Sequence, residues 1–60
     1  ERQVRAILYA KKRGKITNRE YQEINNCSRN TASNELKELV IKGIFKESGK
    51  KGVGSYYEIV

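Results

Sequence analysis

The sequence predicts one α+β domain, three helices followed by a C-terminal two-stranded β-hairpin. Three observations predict it. Apolar residues recur at helical spacing in three consecutive segments. Each segment stops at a glycine or an asparagine, and the second and third begin at a hydroxyl residue suited to capping. From Ile44 onward the pattern changes to two short runs rich in aromatic and β-branched residues around a glycine-rich stretch.

The first helix is expected over residues 1–13. Val4, Ile7 and Leu8 fall at i, i+3 and i+4 and form one apolar face. Arg2, Arg5, Tyr9, Lys12 and Arg13 lie on the other side. Gly14 stops the helix, and Lys11, Lys12 and Arg13 sit in its last turn, where the helix dipole favours cations.

Thr17 and Glu20 are three apart and predict a capping box. Ile16 before the cap and Tyr21 after it make a hydrophobic staple. A short second helix follows, residues 18–25, with Tyr21 and Ile24 turned inward. Asn25-Asn26-Cys27 is the break, because asparagine tolerates the left-handed conformation of a sharp turn.

Ser28 is the N-cap of the third helix, and Cys27 and Ala32 flank it as a second staple pair. The helix runs to Lys42, and Gly43 stops it. Ala32, Leu36, Leu39 and Val40 form a single apolar stripe. The hairpin strands are residues 44–48 and 55–60. Alternation puts Tyr57 and Ile59 on the buried face and Tyr56 and Glu58 on the other.

Composition bounds what such a domain can do. Sixty residues make one domain, too small to enclose a deep substrate cavity. Thirteen Lys+Arg against seven Asp+Glu give a net charge of +6, a field that draws polyanions. There is no histidine, and the single cysteine excludes an internal disulfide. Together these argue against a metal site, a cofactor and histidine-based catalysis. Neither a nucleophile–base pair nor a phosphate-cradling Gly-Lys-Ser/Thr loop is present, so no enzyme activity is expected. Cys27 reads as a small hydrophobe and fits a reducing cytoplasm. No apolar run is long enough for a membrane span, and no signal peptide is expected. The chain begins without methionine, which points to a domain cut from a longer protein.

The stretch from Lys15 to Phe45, KITNREYQEINNCSRNTASNELKELVIKGIF, resembles the winged helix-turn-helix family. An Ile-Thr start leads into helix two, a small-residue turn ends in Ser28, and helix three closes on Leu36, Leu39, Gly43 and Ile44. KKGVGSYYEIV looks like a wing returning into its second strand. The resemblance covers nearly the whole chain. It is strongest to the C-terminal winged helices of bacterial and archaeal transcriptional regulators and helicase-related ATP-dependent proteins. Three positions depart from the family pattern. Asn25 stands where the turn usually opens with glycine, Cys27 where Val or Leu is usual, and Ile41 where a charged residue is usual.

The resemblance implies binding of double-stranded DNA, with the N-terminal half of helix three in the major groove. Arg29, Asn30, Ser33, Asn34 and Lys37 face outward there, with Thr31 beside them and Ser28 at the helix start. Arginine pairs with guanine, asparagine with adenine, and hydroxyls with several bases. Glu35 is the only acid between Cys27 and Leu36. Arg19 is placed for a backbone phosphate, Lys15 less clearly. Lys50 and Lys51 at the wing tip are expected to contact the backbone or minor groove. Five phosphate contacts would give a salt slope of roughly −4 to −5. Helix one and Ile41 are the expected surfaces for a homodimer or for other domains of a parent protein.

Overall fold

The computed structural model describes residues 1–49 and 55–60. Lys50 and Lys51, expected at the wing tip, lie outside the described residues. Three helices, α1 (Arg2–Arg13), α2 (Asn18–Asn25) and α3 (Arg29–Ile41), precede two strands, β1 (Phe45–Ser48) and β2 (Tyr56–Ile59). The strands pair antiparallel, with Phe45 opposite Ile59 and Ser48 opposite Tyr56. This is the α+β layout read from the sequence, and it is consistent with a winged-helix arrangement. No helix among the described residues is long and apolar enough to cross a membrane.

Local chemistry sets the boundaries. Gly14 ends α1 in the left-handed region at φ 91°, which a side chain would disfavour. The Thr17–Glu20 capping box forms: the Glu20 amide donates to the Thr17 hydroxyl, and the Thr17 amide donates to the Glu20 carboxylate at 2.9 Å. Ser28 caps α3 by accepting from the Thr31 amide at 3.2 Å. The left-handed residue of the turn is Asn26, at φ 49°, ψ 54°. Asn25 is the last residue of α2 and is buried, so the left-handed position of the turn falls one residue later than Asn25. The Asn25 amide nitrogen donates to the Arg2 carbonyl at 3.1 Å, tying the turn to α1. α3 ends at Ile41, with Lys42 as its cap.

One core holds the elements together. Tyr21, Phe45, Ile16, Leu36 and Leu39 are its large buried side chains, and Ala6, Ala10 and Ala32 complete it. Ile16 and Tyr21, the expected staple pair, are both fully buried. Cys27, Ile24, Val40, Tyr57 and Ile59 are only half-buried against this cluster, so the inward placement expected for Ile24, Tyr57 and Ile59 is incomplete.

The face of α1 turned inward is not the one its aliphatic spacing predicts. Ala6 and Ala10 are buried, whereas Val4 is 50% and Leu8 60% exposed. Ile7 lies at the boundary between the two faces. Alanine lets helix axes approach closely, so the small residues take the contact with α2 and α3 and the long ones remain outside.

Ile16 anchors the hairpin. It exchanges backbone hydrogen bonds with Tyr57 at 2.8 and 2.9 Å, forming an isolated bridge on the free edge of β2. The segment before α2 is thus pinned to the strand, which ties the hairpin to the helical core.

Candidate nucleic-acid interface

The residues expected to meet DNA occupy two adjoining surfaces. The first is the outward side of α3. At 100° per residue, Arg29, Asn30, Ser33, Asn34 and Lys37 share one side of the helix, opposite the stripe of Ala32, Leu36 and Leu39. All five are exposed. Ile41, 76% exposed, continues the same side by one turn beyond Lys37. Ser28 and Thr31 are more occupied. The Ser28 hydroxyl donates to the Thr31 hydroxyl at 3.0 Å and also accepts the Thr31 amide.

The single acid of that segment is turned away. Arg2 of α1 donates to both Glu35 carboxylate oxygens, through Nε at 3.0 and 3.1 Å and through Nη2 at 2.6 Å. The Tyr21 hydroxyl donates to Glu35 from the core side. These bonds, the Arg2 fork foremost, hold the Glu35 carboxyl below the usual carboxylate range. Burial, reinforced by Glu35, pushes the Tyr21 hydroxyl up. The outward side of α3 is therefore left with Arg29 and Lys37 and with no carboxylate of its own first half. Arg2, one of the seven cations between Arg2 and Arg19, is spent on this pair.

The second surface is a cleft of about 680 Å³ between the starts of α2, α3 and β2. Lys15, Thr17, Asn18, Arg19, Gln22, Arg29, Ser55 and Tyr56 line it. Three cations thus converge at one opening. Lys15 Nζ lies 4.8 Å from the centroid of the Tyr56 ring, a cation–π contact that orients it. Among the described residues, Arg19 is held by a long, exposed pair with Glu23 at 3.7 Å. Such a pair contributes little and releases its cation readily.

A polar relay sets the angle between α2 and α3. Gln22 donates to Asn18 at 2.6 Å, and Asn18 donates to Ser33 at 2.9 Å. The amides of Arg29 and Asn30 lack intrahelical acceptors, as at every helix start, and open onto the same region.

Of the residues on these two surfaces, the sequence singles out Lys15, Arg19 and the α3 side chains but not Asn18, Gln22 or Tyr56. Asn18 and Gln22 are four apart, and that spacing is the signal that places them on one face of α2. Tyr56 had its signal in the strand alternation, which put it opposite the core face. Among the described residues, no three His, Cys, Asp or Glu side chains gather as a metal site. Comparison with family models, curated proteins and solved structures gives no match.

Proposed function

We propose that the chain binds double-stranded DNA, with α3 in the major groove and the cleft cations on the adjoining phosphates. The observation that carries the reading is the continuity of the first half of α3, whose outward side presents no carboxylate of its own, with a three-cation cleft. Arg29 and Asn34 have the donor geometry to read guanine and adenine edges. Lys15 and Arg19 neutralise backbone charge and set register without reading sequence. The expected wing-tip contacts of Lys50 and Lys51 belong to the same reading.

A fluorescence-anisotropy titration of a labelled duplex at two salt concentrations tests it. Lys15, Arg19 and Lys37, each on one phosphate, give a slope of log K against log salt of roughly −2 to −3. Wing-tip contacts would steepen it. Absence of binding at low salt overturns the reading.

A further inference from the structure

The side of α2 turned away from the cleft carries a feature that DNA binding does not use. Arg5, Leu8, Tyr9 and Lys12 recur at i, i+3, i+4 and i+7 along α1. With Ile24 of α2 they line a groove of about 310 Å³. Ile24 projects from the opposite side of α2 to Asn18, Arg19 and Gln22. The groove and the cleft have no residue in common.

The groove is apolar inside and cationic at its rim. Leu8 is 60% exposed, and Val4, one turn earlier, extends the apolar strip. Tyr9 is fixed as part of the wall. Its hydroxyl donates to Glu20 at 3.0 Å, and the Arg13 guanidinium lies 5.3 Å from its ring centroid. Arg5 and Lys12 stand on the rim, and α1 itself carries no acid. Of the neighbouring carboxylates, Glu20 is engaged in the α2 cap, and Glu23 is exposed and loosely paired with Arg19 at 3.7 Å.

Charge decides the occupant. In a two-fold pairing of copies through this face, Arg5 and Lys12 of one copy would meet those of the other, an unfavourable juxtaposition. A duplex backbone would satisfy the cations and leave Leu8 and Val4 unused. An amphipathic helix with apolar residues on one side and carboxylates flanking them satisfies both. We propose that the α1–α2 groove docks an acidic amphipathic helix of a partner protein, with aliphatic side chains against Leu8 and Ile24 and carboxylates on Arg5 and Lys12.

The probe is a synthetic peptide of about 14 residues, long enough for a marginal helix, with leucines at i, i+3, i+4 and i+7 and glutamates elsewhere. Its binding to the full chain is followed by NMR amide shifts and by anisotropy. The largest shifts are expected at Arg5, Leu8, Lys12 and Ile24. Leu8→Glu is expected to weaken binding about tenfold or more, as loss of a central apolar contact does. Lys12→Glu, wholly at the rim, is expected to weaken it severalfold. Both positions are exposed, so unchanged helical circular dichroism confirms the fold. Duplex affinity should be lowered only modestly by either change. A control peptide with serine for leucine should lose the binding. Four results overturn the proposal: equal binding by the serine peptide, shifts centred on the cleft, an α1-mediated dimer of this chain in sedimentation that excludes the peptide, or uptake by anionic phosphatidylserine vesicles with no peptide binding.

Discussion

α1 and α3 are nearly the same length, 12 and 13 residues, and both alternate cations with aliphatic residues. The fold uses them in opposite ways. α3 buries its leucines and leaves its cations and amides to solvent. α1 buries alanines, leaves Val4 and Leu8 exposed, and engages two of its cations, Arg2 on Glu35 and Arg13 over Tyr9. The difference teaches that local charge density is a poor guide to which face is free. α1 is the more cationic helix, yet it is α3 that leaves both of its own cations exposed, with Glu35 drawn off its outward side by Arg2.

The sharpest break of this contrast is a pair of identical truncations. Leu36→Ala removes a fully buried side chain and should cost about 2–5 kcal/mol. Leu8→Ala removes an exposed one and should change stability by less than about 0.5 kcal/mol. Chemical denaturation of the two variants measures both. Similar losses at the two sites would mean that α1 packs through its aliphatic face after all.

The next test compares cations. Arg29→Ala on α3 should cost about 1–3 kcal/mol of duplex binding if Arg29 reads a base edge, and should relax preference at one position. Arg5→Ala on α1 should weaken binding far less and uniformly across sequences, through net charge alone. Anisotropy against a small duplex panel separates the two. Equal losses would reduce the interface to non-specific attraction.

These contrasts also mark what was legible in the sequence. Helix ends were readable because caps are local: Thr17, Glu20 and Ser28 act within three residues, and the chain alone determines them. The α3 stripe was readable because its leucines are larger than anything competing with them. The inward face of α1 was misread because periodicity weights Val4 and Leu8 by hydrophobicity, whereas close helix approach selects Ala6 and Ala10 by size. The break at Asn25-Asn26-Cys27 was readable because asparagine tolerates the left-handed conformation, which Asn26 adopts. The Arg2–Glu35 pair spans 33 residues, and the Ile16–Tyr57 bridge joins segments that only the folded chain brings together. No local pattern encodes either, and between them they decide that Glu35 leaves the outward side of α3 and where the hairpin is rooted.

A smaller effect follows from the caps. Thr17→Ala removes the hydroxyl half of a reciprocal pair and should cost about 1 kcal/mol. Ser28→Ala removes the hydroxyl acceptor at the start of α3 and should cost a similar or smaller amount. α1 has no side-chain cap at Glu1. Its N-terminal end is instead secured by Gln3, which donates to the Glu35 carbonyl and to Glu38, and by Asn25 on the Arg2 carbonyl. Hydrogen exchange should therefore show early loss at the start of α2 in Thr17→Ala with α1 unaffected. Concerted loss in both helices would show that the capping box supports α1 as well, through Tyr9 on Glu20.

The finest distinction between the helices is acid sensitivity of the pair that joins them. The Arg2 fork and the Tyr21 hydroxyl keep the folded-state Glu35 carboxyl below its ordinary 4.5. A carboxyl depressed in the folded state binds its proton more readily in the unfolded chain. Its contribution is therefore fully present above the unfolded value and is lost as pH falls through the folded one. Glu20 follows the same sign: burial opposes its charge, but bonds from the Thr17 amide and the Tyr9 hydroxyl outweigh that and lower it. Stability measured by denaturant midpoint should hold above pH 4.5 and decline below it. Glu35→Gln should lower the plateau slightly and flatten the decline, because one of the two protonating groups is gone. The variant should also leave duplex binding nearly unchanged near neutral pH, since Glu35 is turned from the α3 surface. If Glu35→Gln instead raises duplex affinity strongly, the carboxylate reaches the outward side of α3, and the division of labour between the two helices fails at the residue that defines it.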